Sequence, residues 1–266
     1  MPTSFKRSIF LDTSKLEEIK RWNSTGIIDG VTTNQSIMLK DGVSLKDFNK
    51  IVESICKEMG KKPVSVELTD SHATAKEMIS EGKRLDSLAA NITVKVPLIP
   101  ETTKSLEVIH ALVSSNIAIN VTAIMTYEQM IVATLATRNS KKSSFISLFW
   151  GRSMEDQVKY RGRFDFMVDH KKVGLESSVN TDPRNIVIST VSFLKEGGYE
   201  NPKIIVGSIR TATMVGEAFA AGSHIVTITP DILQSMLYSQ RTIETIEQFD
   251  EDWKELRKKS FPTKKS

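Results

Sequence analysis

Residues 91–124, NITVKVPLIPETTKSLEVIHALVSSNIAINVTAI, hold one copy of the pattern that decides the fold. A run rich in β-branched residues is followed by a stretch in which apolar residues have helical spacing, and then by a second β-branched run. That order predicts a strand, a helix and a second strand, which is the unit from which parallel sheets are built. We therefore expect residues 91–98 and 118–124 to be neighbouring parallel strands.

The same alternation continues through the rest of the chain. The predicted strands, eight in all, are RSIFLDT (7–13), GVTTN (30–34), PVSVELT (63–69), NITVKVPL (91–98), AINVTAI (118–124), SFISLFWG (144–151), KIIVGSIR (203–210) and HIVTITP (224–230). The predicted helices between and after them are 14–23, 44–60, 74–90, 102–115, 126–137, 182–198, 211–222 and 230–238. This alternation predicts one domain over residues 1–266, a closed (β/α)8 TIM barrel of the α/β class. The alternative is an open doubly wound sheet, but no GxGxxG follows the first strand.

Composition narrows the classes of function. The formal net charge is +4, and much of the excess lies in the basic tail RKKSFPTKKS. No broad basic surface with interleaved aromatic residues indicates nucleic-acid binding. No apolar run approaches membrane-spanning length, and the N-terminus lacks a signal core, so we expect a cytoplasmic protein without membrane contact. The single cysteine, Cys56, lies in an apolar helical run and is expected to be a buried thiol. No metal-binding motif is present, and we expect neither a metal nor an organic cofactor.

Two segments depart from the regular alternation. The connection over residues 152–185 is long, polar and basic, and it is read either as an active-site loop leading into the next helix or as a solvated insertion. An additional C-terminal helix is expected over about residues 242–259, with Ile246, Phe249, Trp253 and Leu256 spaced as one apolar stripe. This helix is expected either to pack on its own barrel or to dock on a neighbouring subunit.

Polar residues collect where the predicted strands end. They are Asp12, Thr13, Thr33, Asn34, Glu67, Lys95, Asn120, Thr122, Ser147, Arg152, Ser208 and Arg210, with Phe149 among them. Active sites of TIM barrels form at the C-terminal ends of the strands. Each residue alone has an ordinary structural explanation, such as a helix cap or a turn, but the joint pattern predicts an active site at that end.

Lys95 lies inside the apolar run Ile-Thr-Val-Lys-Val-Pro. If Val94 and Val96 face the helices, strand alternation points Lys95 into the barrel. Burial favours the neutral amine, which is the form that attacks a carbonyl carbon. The alternative is a structural ion pair with Glu67 or Asp12. Those two carboxylates also suit the proton transfers that Schiff-base chemistry needs, and Thr122 is suited to hold a water.

At these residues the sequence resembles the transaldolase family, and more closely its short subfamily. The motifs that carry the resemblance are IFLDTS, GVTTNQS, ITVKVP, INVTAI, SLFWGR, GSIR and EQFDEDW, which occur in the family's order over almost the whole chain. The resemblance implies a cofactor-free enzyme that transfers a dihydroxyacetone unit from a ketose phosphate to an aldose phosphate. It also implies assembly into a homo-oligomer through the terminal helix.

The resemblance also implies a role for each matching residue. Lys95 would form the Schiff base, Asp12 would act as acid and base, and Glu67 and Thr122 would work through a water. The substrate-binding residues would be Thr33, Asn34, Asn120, Ser147 and Phe149. The phosphate-binding residues would be Arg152, Ser208 and Arg210.

Two positions separate this chain from a sister group, the fructose 6-phosphate aldolases. That group carries Gln where this chain has Glu67 and Tyr where it has Phe149. The chain in turn departs from the family at Gln35, in VPLIPETT, and at Trp150. These departures leave open an aldolase of the same scaffold or an enzyme specialised for an unusual sugar. A non-catalytic sugar-phosphate-binding barrel is the alternative from another class, although such a barrel has no need of a desolvated lysine.

Overall fold

The computed structural model describes residues 5–99, 103–160, 163–168, 171–176 and 182–260. Its strands are β1 (Ser8–Asp12), β2 (Gly30–Thr32), β3 (Val64–Glu67), β4 (Ile92–Pro97), β5 (Ile119–Ile124), β6 (Ser144–Phe149), β7 (Arg163–Val168), β8 (Lys171–Glu176), β9 (Pro202–Gly207) and β10 (Ile225–Ile228). Its helices are α1 (Leu16–Asn23), α2 (Gln35–Lys40), α3 (Phe48–Met59), α4 (Ala75–Asp86), α5 (Lys104–Ser114), α6 (Tyr127–Thr137), α7 (Trp150–Tyr160), α8 (Pro183–Glu196), α9 (Ala212–Ala221), α10 (Pro230–Ser235) and α11 (Gln240–Ser260).

Eight of these strands close into a parallel barrel in the order β1-β10-β9-β6-β5-β4-β3-β2. The predicted (β/α)8 barrel is therefore confirmed, and the open sheet is excluded because β10 pairs with β1. All eight barrel strands lie within segments predicted as strands or begin one residue before them. The additional C-terminal helix is also present, as α11.

Local sequence explains where several helices begin. The Thr74 hydroxyl accepts from the backbone N–H of Glu77 while the Glu77 carboxylate accepts from that of Thr74, so α4 begins with a capping box. Thr126 and Gln129 form the same arrangement at the start of α6. On α3, the buried side chains Val52, Ile55, Cys56 and Met59 recur at helical spacing and face the barrel. The expected buried thiol is thus present, and burial raises the pKa of Cys56 to about 12.

The N-terminal end of the barrel interior is filled by aromatic side chains. Phe5, Phe10 and Phe145 pack edge to face, with ring centroids 5.5 to 5.7 Å apart. Ile205 and Ile225 complete this cluster. A second, larger apolar cluster lies between the outward faces of the strands and the surrounding helices. The interior is therefore packed with apolar side chains at this end.

The long connection after β6 holds more structure than the sequence indicated. Its first part is α7, and its second part is an antiparallel pair, β7 and β8, with Arg163 opposite Glu176 and Val168 opposite Lys171. The polar sequence of the segment hid these elements. The short helix α2 was likewise not anticipated, since six residues are too few for a helical stripe to be recognised.

None of the residues of the helix α11 is buried. The apolar stripe Ile246, Phe249, Trp253 and Leu256 is present, and each of these side chains is more than half exposed. Residues 261–266 of the basic tail, and part of the VPLIPETT segment, lie outside the described residues. No helix within the described ranges has the length and apolar character needed to cross a membrane.

Candidate active site

A cavity of about 240 Å³ opens at the C-terminal ends of the barrel strands. It is lined by Asp12, Thr32, Asn34, Ser36, Ile37, Lys40, Lys95, Asn120, Thr122, Ser147, Phe149, Arg152, Gly207, Ser208, Arg210, Thr227 and Thr229. The chain thus brings together ten of the twelve residues to which the family resemblance assigns a role. The two exceptions, Thr33 and Glu67, lie directly behind Lys95.

Lys95 points into the barrel, as strand alternation predicts, and its side chain is only 5% exposed. Its Nζ lies 3.0 Å from Glu67 Oε2 and donates to the Thr33 carbonyl oxygen at 3.0 Å. The pairing register explains the first contact, because Glu67 on β3 stands beside Lys95 on β4. The ion pair considered as the structural alternative therefore exists with Glu67. It also gives the amine a neighbouring base that can take up its proton.

Asp12 ends β1 and accepts a hydrogen bond from the Thr32 hydroxyl at 2.6 Å. Burial raises the pKa of the Asp12 carboxyl above its ordinary value, and this effect exceeds the opposite effects of the Lys95 charge and the Thr32 hydroxyl. The negative charges of Glu67 and Asp41 raise the pKa further. A carboxyl whose pKa is raised can hold and return a proton nearer to neutral pH, as a general acid and base must.

Asn120 and Ser147 form a buried polar network across three strands. The Ser147 hydroxyl donates to Asn120 Oδ1 at 2.6 Å, and Asn120 Nδ2 donates to the Ser65 hydroxyl at 3.2 Å. Asn120 is fully buried and stands beside Lys95 in the β4–β5 register. Because each contact fixes the next side chain, the network presents oriented amide and hydroxyl groups next to the Lys95 amine.

Thr122 follows two residues later on β5, where the register shifts between Val121 and Ile124. Ala123 at this irregularity has φ of 61°, a left-handed conformation that costs energy for a residue with a Cβ. Such bulges re-aim the side chains around them. The Thr122 hydroxyl is buried against the cavity and has no hydrogen-bond partner among the described residues. A buried hydroxyl of this kind is suited to hold a water or a substrate hydroxyl.

The opposite wall of the cavity is cationic. Arg210 follows β9, and its Nε donates to Glu155 Oε1 at 3.1 Å; Arg152 lies in the first turn of α7, with its guanidinium 5.4 Å from the Phe149 ring centre. Ser208 adopts φ of 59°, and its buried hydroxyl has no partner among the described residues. Ser208 and Arg210 precede the N-terminus of α9, where backbone N–H groups favour an anion.

Gly151 joins these two arginine-bearing segments. Its N–H donates to the Ser208 carbonyl oxygen at 3.0 Å. A Cβ at position 151 would collide with that same carbonyl oxygen, so only glycine permits this approach. The close contact between the start of α7 and the β9–α9 loop places Arg152 and Arg210 on the same cavity.

Two predicted substrate-binding residues have roles that the sequence did not indicate. The Thr33 hydroxyl donates to the Ser65 carbonyl oxygen at 3.0 Å, so Thr33 reaches Lys95 through its backbone and does not line the cavity. Asn34 lines the cavity, but its Oδ1 caps α2 by accepting from the Ile37 N–H at 2.9 Å. Gln35, which the sequence marked as a departure from the family pattern, donates from Nε2 to the Leu68 carbonyl oxygen at 2.5 Å and so connects α2 to the end of β3.

Sequence reasoning missed several lining residues, above all Lys40, Thr227 and Thr229. Thr227 carried a usable signal, because it lies two residues after the inward-facing Ile225 on the last strand. Lys40 carried none, since its position depends on the short helix α2. Within the described part of the chain, no three His, Cys, Asp or Glu side chains group as a metal site would require.

Comparisons with known proteins agree with this arrangement. A family model described as Transaldolase/Fructose-6-phosphate aldolase matches residues 9–261. A protein of Exiguobacterium sibiricum named "Probable transaldolase" is 35% identical over 244 residues, which cover 92% of this chain and 96% of that protein. Another of that name, from Streptococcus equi subsp. equi, is 32% identical over 249 residues, covering 94% and 99%. Among solved structures, the 4-hydroxy-tetrahydrodipicolinate synthase of Methylacidiphilum fumariolicum gives a TM-score of 0.54 at 12% identity, covering 86% of this chain and 69% of that one, a likeness of fold alone.

Proposed function

Because the chain belongs to the transaldolase/fructose-6-phosphate aldolase family, we propose that it is a transaldolase using Lys95 as the Schiff-base nucleophile. It would transfer a dihydroxyacetone unit from fructose 6-phosphate or sedoheptulose 7-phosphate to an aldose phosphate. It would serve the pentose phosphate pathway in the cytoplasm, within one barrel domain spanning residues 1–266. The observation that carries the proposal is the buried Lys95 amine in contact with Glu67, at the base of a cavity whose far wall is cationic.

The reaction begins at Lys95. Glu67, 3.0 Å away, takes a proton from the ammonium group, and the neutral amine attacks the C2 carbonyl of the ketose. The carbinolamine then loses its hydroxyl as water and becomes an iminium. Glu67 supplies the proton for that departure through a water held at the Thr122 hydroxyl, which has no hydrogen-bond partner among the described residues.

Carbon–carbon cleavage follows at Asp12. The carboxylate takes the proton of the C4 hydroxyl, the C3–C4 bond breaks, and its electron pair moves into the iminium to give an enamine on Lys95. The aldose phosphate leaves with C4 as its aldehyde carbon. The reverse sequence joins the enamine to an acceptor aldehyde, and Asp12 returns its proton. The raised pKa of Asp12 suits it to both directions.

The remaining lining residues hold the sugar. Asn34, Asn120 and Ser147 would bind the hydroxyl groups of the dihydroxyacetone unit, while Arg152, Ser208 and Arg210 would bind the phosphate. Phe149 also lines the cavity, and its side chain offers no proton. Transfer to an aldehyde is favoured over release of free dihydroxyacetone, because release needs a donor that protonates the enamine carbon.

Borohydride trapping tests the nucleophile. Reduction in the presence of fructose 6-phosphate should fix a dihydroxyacetone-derived mass on Lys95, and Lys95→Met should remove that adduct while leaving the circular dichroism spectrum unchanged. Lys203→Met is the matched control, because Lys203 is a half-buried lysine of β9 away from the cavity. An unmodified Lys95 with every ketose phosphate tried would refute the Schiff base.

Product analysis separates transfer from cleavage. With erythrose 4-phosphate present, fructose 6-phosphate should give sedoheptulose 7-phosphate and glyceraldehyde 3-phosphate. Without an acceptor, the enzyme should accumulate the trapped enamine and release little dihydroxyacetone. Equal rates of dihydroxyacetone release with and without the acceptor would assign the aldolase reaction instead.

We also propose that the enzyme is a homo-oligomer assembled through α11. The apolar stripe of this helix is exposed, whereas a groove between α5 and α6 offers apolar side chains such as Leu106 and Leu135 beside Arg138 and Lys141. The acidic residues of α11 complement those cations, so a second copy's helix fits the groove. In sedimentation velocity, Trp253→Glu should shift the protein to smaller species. Lys254→Glu, beside the stripe on the same helix, should leave the assembly intact.

A further inference from the structure

Thr227 on β10 contacts the residue that binds Asp12. Its Oγ1 lies 2.5 Å from the Thr32 Oγ1, and the Thr32 hydroxyl donates to Asp12 Oδ1 at 2.6 Å. Both threonines are almost fully buried and both line the cavity. Barrel closure produces this contact, since β10 and β2 each pair with β1 on opposite sides.

The direction of the two hydrogen bonds follows from the number of hydrogens. A threonine hydroxyl carries one hydrogen and accepts through its lone pairs. Thr32 gives its hydrogen to the Asp12 carboxylate, so Thr227 must be the donor in the contact between the two hydroxyls. The chain therefore runs from Thr227 to Thr32 to Asp12 Oδ1, and each bond polarises the next.

This arrangement gives the two carboxylate oxygens of Asp12 different roles. Oδ1 is occupied by Thr32, and within the described residues no other side chain donates to Asp12. Oδ2 is therefore the oxygen free to exchange a proton with a substrate hydroxyl. Without the Thr227 donor, the Thr32 hydroxyl could rotate to another acceptor and release Oδ1.

We propose that Thr227 is a positioning residue, which acts through Thr32 to keep Asp12 Oδ1 hydrogen-bonded and Oδ2 available for proton transfer. We call the hydrogen-bonded series from Thr227 through Thr32 to Asp12 the relay. Its catalytic purpose rests on the proposed function, but the hydrogen bonds themselves can be tested without substrate. The charged groups that face Asp12 are Lys95 from β4, Glu67 from β3 and Asp41 at the end of α2. Lys40, Arg152 and Arg210 line the same cavity. None of these groups changes when Thr227 is replaced.

The test is an infrared titration of the Asp12 carboxyl in the free protein, isolated by subtracting the spectrum of Asp12→Asn. The Thr32 hydrogen bond lowers the pKa of Asp12, so weakening that bond should raise it. In Thr227→Val, the midpoint should rise by about half a pH unit, the size of effect expected when one hydrogen bond to a carboxylate weakens. Thr227→Ser keeps the hydroxyl and should restore the wild-type midpoint.

Thr134→Val is the matched control, because Thr134 is a buried threonine of α6 outside the cavity and its loss should leave the midpoint unchanged. Should Thr227→Val not fold, Thr227→Ala makes the same test. A midpoint in either variant that coincides with that of the wild type would overturn the relay, whatever the outcome of borohydride trapping. An adduct on Lys95 combined with an unshifted titration would refute the relay alone, and a shifted titration without an adduct would refute the proposed function alone.

Where turnover is measured, the acid limb of kcat/KM against pH reports the same group in the free enzyme. That limb should move upward in Thr227→Val and return in Thr227→Ser. A uniform loss of rate at every pH, with the limb unmoved, would indicate a merely structural role and would contradict the proposal.

Discussion

At one end of the barrel interior, Phe10 of β1 and Phe145 of β6 pack edge to face at a centroid distance of 5.7 Å. Two residues further along the same strands, Asp12 and Ser147 line the cavity at the other end. Because side chains two positions apart face the same side of a strand, one pair of strands supplies both the apolar filling and the polar site. On each of these strands, the inward-facing side chains change from apolar to polar between one inward position and the next.

The difference between the two ends has an energetic meaning. The phenylalanines remove apolar surface from water and stabilise the fold, whereas Asp12, Glu67 and Lys95 are partly or fully desolvated charges whose burial opposes it. The barrel therefore separates stability from chemistry along its axis, as is common in this fold. Replacements at the two ends should have opposite signatures, and that contrast can be measured.

The largest expected effect is at the polar end. Asp12→Asn keeps the shape and the acceptor for Thr32 but removes the acid and base, so turnover should fall by about 10³-fold, in the usual range for a general acid–base group. The folded protein should not be destabilised at neutral pH. Asp86→Asn, at the end of α4 on the outside of the barrel, is the matched control and should leave turnover unchanged.

The same variant should alter the pH dependence of stability. Asp12 has a raised pKa in the folded state, so the folded protein keeps a proton that the unfolded chain loses. The stabilising contribution of Asp12 is therefore fully present below the ordinary aspartate pKa, and it declines as pH rises through the raised pKa. Asparagine cannot ionise, so denaturant unfolding of Asp12→Asn should show no such decline. If the free energy of unfolding of the wild type, minus that of Asp12→Asn, rises with pH over that interval, the assignment is contradicted.

At the aromatic end, the expected cost falls on stability. Phe145→Ala should lower the free energy of unfolding by about 3–5 kcal/mol, the range for deleting a buried phenylalanine side chain. Turnover per folded molecule should change by no more than a few-fold, because Phe145 lies at the far end of β6 from the cavity. Phe145→Leu should lose less stability. A loss of turnover as large as that of Asp12→Asn would show that the two ends are coupled.

The sequence predicted the polar end better than its internal contacts. Lys95 could be placed because alternation within one strand decides which side chains face inward, and the same rule gives Asp12, Asn120 and Ser147. Closure of the barrel is a different kind of information. Thr32 and Thr227 are 195 positions apart in the chain, and no local pattern indicates that their hydroxyl groups meet.

Other features escaped because they depend on backbone detail. Asn34 was predicted to bind substrate. Its second role, as the cap of a helix of six residues, can be recognised only once the start of α2 is known. Ala123 and Ser208 have left-handed backbone conformations, but neither is a glycine or an asparagine, the residue types from which such a conformation is usually predicted. The helix and strand pair after β6 lie in a long polar and basic segment that sequence reasoning left as a loop or an insertion, although Phe164, Phe166 and Val168 alternate as in a strand.

The smallest expected effect concerns His224, at the aromatic end of the barrel. Its Nδ1 accepts from the Ile204 N–H at 3.1 Å, and burial, with the nearby charges of Lys203 and Arg7, lowers its pKa to about 4. The unfolded chain binds a proton at pH values below about 6.5, whereas the folded protein does not until about pH 4. The contribution of His224 to the free energy of unfolding is therefore fully present above pH 6.5. It declines as pH falls, by at most about 2–3 kcal/mol after allowing for partial exposure.

The change in the free energy of unfolding with pH that His224 causes is opposite in sign to the change that Asp12 causes. The contributions of the two ends of the barrel therefore partly cancel. His224→Asn keeps an acceptor for the Ile204 N–H but carries no titrating group, so the part of the decline between pH 6.5 and 4 that His224 causes should be absent from this variant. Denaturant unfolding across that interval, in wild type, His224→Asn, Asp12→Asn and the double variant, resolves the two contributions. Because the two residues lie at opposite ends of the barrel and share no contact among the described hydrogen bonds, their effects should add. A double variant that departs from additivity would show that the polar and aromatic ends do not act independently.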